Sequence, residues 1–179
     1  MVVNKFYAHN FFIISMEKRI VFVPHCILNQ NVRAVGKEKS NGSIKEVVSF
    51  LAEAEVGIVQ LPCPEAEFGE LNRQSKSKEH YTDFYRKHCR EISLEILRTV
   101  KKYLDKEYRV LGILGIEFSP TCGVYRIEDK NKIIPGKGIL IEELEKEMQK
   151  KNFQVPIIAV NISNVFSTLE KLNLLLKNS

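Results

Sequence analysis

No stretch near the start of the chain is apolar enough to span a bilayer. Its one short apolar core there is FFIIS, with a single lysine before it and no small-residue cleavage site after it. Those features exclude a membrane span and argue against a signal peptide, so the thiols are expected in a reducing cytoplasm. Neither G-x-G-x-x-G nor a Walker sequence occurs, which removes the usual phosphate-cradling nucleotide sites. None of the four cysteines belongs to a local C-x-x-C, so a zinc ribbon or a ferredoxin-type cluster motif is absent as well. No repeat and no low-complexity linker divides the 179 residues. A domain of that length buries about two-thirds of its unfolded surface without disulfide staples. The net charge of +5 is spread through mixed-sign runs such as KEKS, RKHCRE and EELEKEMQKK. Such runs read as solvated helix faces and not as a nucleic-acid stripe.

Composition is that of an ordinary globular chain, 44% apolar and 27% charged. Four nearly continuous apolar runs stand out: RIVFVPHC (19–26), GIVQLPC (57–63), RVLGILGIEF (109–118) and PIIAVNI (156–162). Continuous hydrophobicity, as opposed to alternation, suits strands covered on both faces in a parallel sheet. Helical patterns lie between them. In GSIKEVVSFLAEA (42–54), Ile44, Val47, Val48 and Leu51 form one stripe, with Ser43 as the expected cap. In 80–106 the stripe is Phe84, Tyr85, Cys89, Ile92, Ile96, Val100 and Tyr103. GILIEELEKEMQKKN and SNVFSTLEKLNLLLKN supply two more helices. Alternation of this kind predicts an α/β fold, a single-domain Rossmann-like three-layer sandwich with a mainly parallel sheet and right-handed crossovers. Met16 stands just before EKRIVFV, so residues 1–15 are read as an N-terminal extension and 16–179 as the domain. The 64–79 segment, PEAEFGELNRQSKSKE, is the one long irregular connection, of a kind that is often functional.

The first three strands finish on VFVPHC, VQLPC and IEFSPTC, each delivering a cysteine: Cys26, Cys63 and Cys122. In open α/β sheets the ligand crevice lies outside the carboxyl ends of the strands, so the three thiols are expected at one rim. Four cysteines in a reducing compartment point to metal or catalysis and away from bridges. Cys89 sits mid-helix on the apolar stripe and reads as a core thiol. Three thiolates leave two choices open. Zinc takes four ligands, with His25 as the candidate fourth, although neighbouring side chains at an extended strand end diverge. A [4Fe–4S] cluster on three cysteines leaves one iron open as a Lewis acid. Pro120 presets the turn in SPTCG, and Gly123 is expected to let the backbone pass close to a bulky ligand.

The strand-end cysteine followed later by VR, then CPE, then SPTCG resembles the thiouracil desulfidase family over about residues 17–162. That resemblance implies a [4Fe–4S] cluster held by Cys26, Cys63 and Cys122 on a Rossmann-like domain. It also implies a small-molecule thiocarbonyl substrate such as a thionated nucleobase, whose sulfur goes to the free iron. Glu65 of CPE and Ser119 of SPTCG fall on the positions implicated in catalysis, the carboxylate activating water or shuttling a proton and the hydroxyl relaying or orienting. The thiocarbonyl becomes a carbonyl by hydrolysis with no net redox change. The segments ILN, RAVG and FGELNR depart from the family's pattern on the substrate side.

Other constellations fit less well. A tyrosine-phosphatase cradle needs five residues between Cys and Arg, whereas six separate Cys26 from Arg33. In PGKG (135–138) a lysine between glycines precedes a helix and is placed to greet an anion, though such a segment is more often a turn. A non-enzymatic iron–sulfur or zinc sensor, or a sulfide-carrier module, would keep the cysteines and not need Glu65 or Ser119.

Overall fold

The four apolar runs form strands in the computed structural model, which describes residues 17–177. The expected extension over residues 1–15 lies outside the described residues. Strands β1 (Arg19–Pro24), β2 (Gly57–Leu61) and β3 (Arg109–Ile116) share a sheet with β6 (Ile157–Val160), while β4 (Arg126–Asp129) and β5 (Lys132–Pro135) make a separate antiparallel hairpin. The large sheet is parallel throughout, in the order β2-β1-β3-β6. Among the described residues six α-helices accompany it: α1 (His25–Leu28), α2 (Lys45–Glu53), α3 (Pro64–Phe68), α4 (Asp83–Leu104), α5 (Ile139–Lys150) and α6 (Val165–Lys177).

β1 shows why the sandwich has three layers. Its alternate residues Ile20 and Phe22 join one buried cluster with Ile92, Ile96 and Leu144 of α4 and α5. Val21 and Val23 join the other, with Val47 and Leu51 of α2 and Leu172 of α6. A strand buried on both faces has no polar face to show, which is why its sequence does not alternate. Each such side chain, fully buried, contributes roughly 1.5–3 kcal/mol through area removed from water. Among the described residues no helix is long and apolar enough to cross a membrane.

Several expectations change in detail. Every strand stops short of its cysteine, because Pro24 and Pro62 interrupt the ladder and a turn begins. Ser43 does not cap α2, which starts after Ile44 with no side-chain cap; its carbonyl instead accepts from the Ser40 hydroxyl at 2.8 Å. Thr82 does cap α4, accepting from the Tyr85 N–H at 3.3 Å. Phe84, expected on the buried stripe of α4, is 69% exposed, since the stripe begins at Tyr85. The first five residues of the supposed irregular connection fold as α3.

The strand order carries the functional consequence. From β1 the chain goes to β2 on one side by way of α2, then crosses to β3 on the other side by way of α4. The carboxyl ends of β1 and β3 therefore flank a topological switch point, the place where open α/β sheets form their ligand crevice.

Candidate functional site

Each cysteine comes off a different strand. Cys26 lies in the single turn of α1 just after β1. The fully buried Gln30 donates its side-chain amide to the Cys26 carbonyl and accepts the Lys39 backbone N–H at 2.9 Å, which ties that turn to the following loop. Cys63 follows β2 and is the N-cap of α3, where Pro64 costs no hydrogen bond because its N–H would be unpaired anyway. Cys122 closes the turn after β3. Together with Glu65 and Ser119, all three line one cavity of about 80 Å³ at the switch point. His25, the alternative fourth ligand, does not line it.

The Ser119–Gly123 turn is held from several directions. The Ser119 hydroxyl oxygen accepts the N–H of Cys122 at 2.9 Å and that of Thr121 at 3.2 Å. Two donors on one oxygen leave the hydroxyl proton as the atom free to point elsewhere. The Cys122 carbonyl accepts from the Ile116 N–H at 2.8 Å, folding the turn back on its own strand. The first N–H groups of α5 then bind this turn: Gly138 to the Gly123 carbonyl, Ile139 to Pro120 and Leu140 to Thr121, at 2.8–3.1 Å. Those donors are spent on the chain itself, so the PGKG segment serves as a dock for the cysteine turn and not as an anion site. Gly123 is also used differently than expected. A Cβ there would stand 2.7 Å from the carbonyl oxygens of both Ser119 and Arg126, so its bareness accommodates the protein's own backbone.

Phe118, just before the turn, has a φ of 68°. A bulky residue in the left-handed region costs on the order of 1–3 kcal/mol, and such strain gathers at functional sites. Here it turns the Phe118 ring to the cavity wall, with the Arg126 guanidinium 5.0 Å from its centroid.

Charge around the cavity is organised by arginines. Arg73 donates to Glu65 through Nε at 3.2 Å and Nη2 at 3.0 Å, and through Nη1 to the Val32 carbonyl at 2.7 Å. Glu65 and Arg73 keep only 17% and 15% of their side chains exposed, so this forked pair is shielded from water. Tyr81, which lines a neighbouring recess with Glu65 and Arg73, stacks its ring on that of Tyr85, whose hydroxyl lies 3.0 Å from the Thr121 hydroxyl. Lys37 bridges to Glu128 at 2.8 Å, joining the loop after α1 to the β4–β5 hairpin over the cavity mouth. Arg33 also lines the cavity, and its Nε is buried without a hydrogen-bond partner.

The thiols respond to this setting. Burial pushes the Cys26 thiol up to about 12, opposed by Arg33 and reinforced by Cys63 and Glu65. Burial raises Cys63 too, opposed by the backbone N–H groups at the start of α3 and by Arg73. Cys122 is raised well above the ordinary value by burial first, then by Cys63 and Cys26. Cys26 and Cys122 are thus each raised further by another of the three thiols. Among the described residues no group of three His, Cys, Asp or Glu is arranged to hold a metal ion. Cys89 is fully buried between Tyr85 and Ile92 and lines none of this, as its helical position predicts.

Arg73 and Tyr81 escaped sequence reasoning. The one available signal for Arg73 was its place in the segment after CPE, eight residues beyond Glu65; Tyr81 gave none, being read as helix. No protein-family model matches the chain. Among solved structures, the [4Fe–4S]-dependent thiouracil desulfidase TudS is similar in fold, with a TM-score of 0.55 and 18% identity, over 88% of this chain and 99% of that one. By sequence, with 35% identity over 161 residues that span 87% of this chain and 97% of the relative, the chain belongs to the family of the uncharacterized protein MJ0003 of Methanocaldococcus jannaschii.

Proposed function

We propose that this protein is an iron–sulfur desulfidase that hydrolyses the C=S bond of a small thiocarbonyl compound. The observation that carries the reading is the convergence of Cys26, Cys63 and Cys122 with Glu65 and Ser119 on one cavity. The fold it shares with TudS, named as a [4Fe–4S]-dependent thiouracil desulfidase, supports the same reading.

The donor set fits a cluster better than a single ion. Three soft thiols suit iron–sulfur or zinc and not magnesium or calcium. A structural zinc takes four ligands, and His25, the candidate fourth, does not line the cavity. A cubane held by three cysteines needs no fourth protein ligand, in keeping with three thiols that share one cavity. Bound to three cysteines, such a cluster supplies a soft Lewis-acid iron with an open position.

The chain's own groups do the rest. The Arg73 fork fixes Glu65 so that its carboxylate faces the cavity as the base for water. Ser119, its oxygen occupied by two backbone donors, directs its proton into the cavity and orients the substrate. In the overall reaction water adds its oxygen to the thiocarbonyl carbon as the C=S bond breaks, giving a carbonyl and hydrogen sulfide. Nothing is oxidised or reduced.

Anaerobic reconstitution followed by Glu65→Gln tests the reading. Turnover of a thiocarbonyl to sulfide is expected to fall at least 100-fold, the usual worth of a positioned acid–base group, while iron and sulfide content stay at the wild-type level. An iron-loaded wild type that releases no sulfide, or a Glu65→Gln variant that behaves like it, would instead favour a non-enzymatic cluster module.

A further inference from the structure

Four cations line the thiol cavity: Arg33, Lys37, Arg73 and Lys76. Two of them are neutralised within the chain, Lys37 by Glu128 at 2.8 Å and Arg73 by Glu65 at 3.0 Å. Lys76 is exposed, so water screens its charge. Arg33 differs from all three. It is half-buried, pairs with no carboxylate among the described residues, and keeps its Nε buried without a hydrogen-bond partner.

A shielded, unpaired guanidinium is costly, because it has left water without gaining an anion or an acceptor. The fold nevertheless fixes it in place. The Arg33 backbone N–H donates to the Gln30 carbonyl at 3.0 Å, and the Gln30 side chain donates in turn to the Cys26 carbonyl. Arg73 clamps the loop on both sides of Arg33. Its Nη1 donates to the Val32 carbonyl at 2.7 Å, and its own carbonyl accepts the Val35 N–H at 3.0 Å. Val32 and Ala34 are both buried. Of the charges that act on the Cys26 thiol, that of Arg33 is the strongest.

Charge balance identifies what this cation faces. The Glu65–Arg73 and Lys37–Glu128 pairs cancel, which leaves the three thiols, once ionised, as the source of negative charge in the cavity. An oxidised cubane core carries two positive charges, so three thiolates leave the whole group with a single negative one. One shielded guanidinium offsets it.

We propose that Arg33 is the counter-charge of the three-cysteine site, a tuning residue whose fixed guanidinium sets the electrostatic potential at the metal group. The assignment rests on the iron–sulfur reading and goes beyond it. The charge that tunes the group comes from the loop after Cys26 and not from Arg73, which is committed to Glu65.

The test is the one-electron reduction potential of the anaerobically reconstituted full chain, followed by dye-coupled titration with EPR. Reduction adds a negative charge, which a nearby shielded cation stabilises. Arg33→Gln should lower the equilibrium constant for reduction at least tenfold, which is about 59 mV for a one-electron couple. Arg33→Lys keeps the charge without the fork and should stay within about threefold of wild type. Lys76→Gln removes an exposed cation from the same cavity and should also stay within about threefold, because solvent and salt screen it. A potential indifferent to Arg33→Gln, or moved as far by Lys76→Gln, would overturn the assignment. If Arg33→Gln retains no iron, Arg33→Lys decides: full iron at a near-wild-type potential upholds the role of charge, and loss of iron there too overturns it. A wild-type chain that takes up neither iron nor sulfide ends the iron–sulfur reading and this assignment with it. A potential that follows the charge at position 33, in a protein that releases no sulfide from any thiocarbonyl, upholds the assignment while the desulfidase reading falls.

Discussion

Raising the pH of the metal-free protein from 8 to 10 should cost it several kcal/mol of stability, and its cysteines set the size. Burial pushes Cys26 and Cys89 from an ordinary 9.0 up to about 12, and holds Cys122 well above its ordinary value. Above the ordinary value the unfolded chain sheds these protons while the folded chain keeps them. The unfolded state then binds fewer protons, so stability falls as pH rises, from about 9 until the folded thiol itself ionises near 12. For one thiol at pH 10 the loss is about 1.4 kcal/mol, and the figure hardly changes for any folded value of about 11 or above. Cys26 and Cys89 together give roughly 3 kcal/mol, a large share of a typical total of about 5–15 kcal/mol, and Cys122 acts in the same direction. The hydroxyls of Tyr81 and Tyr85, also raised chiefly by burial, act in the same direction from about pH 10. Urea unfolding at the two pH values, under argon with reductant and chelator, measures the total. Cys26→Ala isolates one term and should flatten the loss by about 1.4 kcal/mol. An identical pH dependence in wild type and Cys26→Ala would refute the reasoning. On the proposed reading the Cys26, Cys63 and Cys122 protons must leave when a metal group binds, so loading should release protons and tighten with pH.

Replacing Cys26, Cys63 or Cys122 singly by Ala should abolish cluster content after reconstitution, because two thiolates do not retain a cubane; iron and sulfide assays read it directly. Cys89→Ala should keep full iron and lose on the order of 1 kcal/mol in denaturant midpoint, as a small core truncation does. Gly138→Ala should lower stability by about 1–3 kcal/mol and reduce iron retention, since its Cβ would press on the Thr121 carbonyl and sit 2.6 Å from the Cys122 nitrogen. An unchanged melting temperature would contradict that contact. On the acid side, burial raises Glu142 and Glu143, yet hydrogen bonds from Lys78, Arg86 and Lys146 outweigh it and hold both below the ordinary range. Their contribution is present above about pH 4.5 and lost as pH falls through the depressed values. Melting temperature should therefore drop below pH 4.5, with a shallower drop in Glu143→Gln.

The parallel sheet was legible because burial on both faces of β1 and β3 leaves continuous apolar runs. The meeting of three strand ends followed from topology, once those runs were taken as neighbours. Other features had no such trace. The β4–β5 hairpin is carried by RIEDKNKIIP, whose second strand is exposed at every position, so no period marks it. Its one clue was Lys130-Asn131, both at positive φ, as a two-residue hairpin turn requires. Phe118 offers no clue at all, since an aromatic is the wrong residue for a left-handed conformation and is held there by its neighbours. The Lys37–Glu128 and Arg73–Val32 links join segments far apart in sequence, and only the folded chain brings them together. Phe84 misled because helical spacing fixes a stripe but not the residue at which burial begins.

Drawing three thiols from three separate strand ends also governs when the site comes into being. A C-x-x-C pair is close in the unfolded chain and captures metal as it emerges. Cys26, Cys63 and Cys122 are separated by whole strand–helix–strand crossovers, each a loop whose closure must be met before the thiols can share a ligand. The site is therefore born late, after β1, β2 and β3 have paired and α5 has docked on the last turn. A group that binds only this finished arrangement adds its whole affinity to the folded state. On the proposed iron–sulfur reading, iron occupancy in a preparation is a count of correctly completed molecules, and a lesion anywhere in the β1–β3 half of the sheet should register as lost iron before it registers as lost secondary structure.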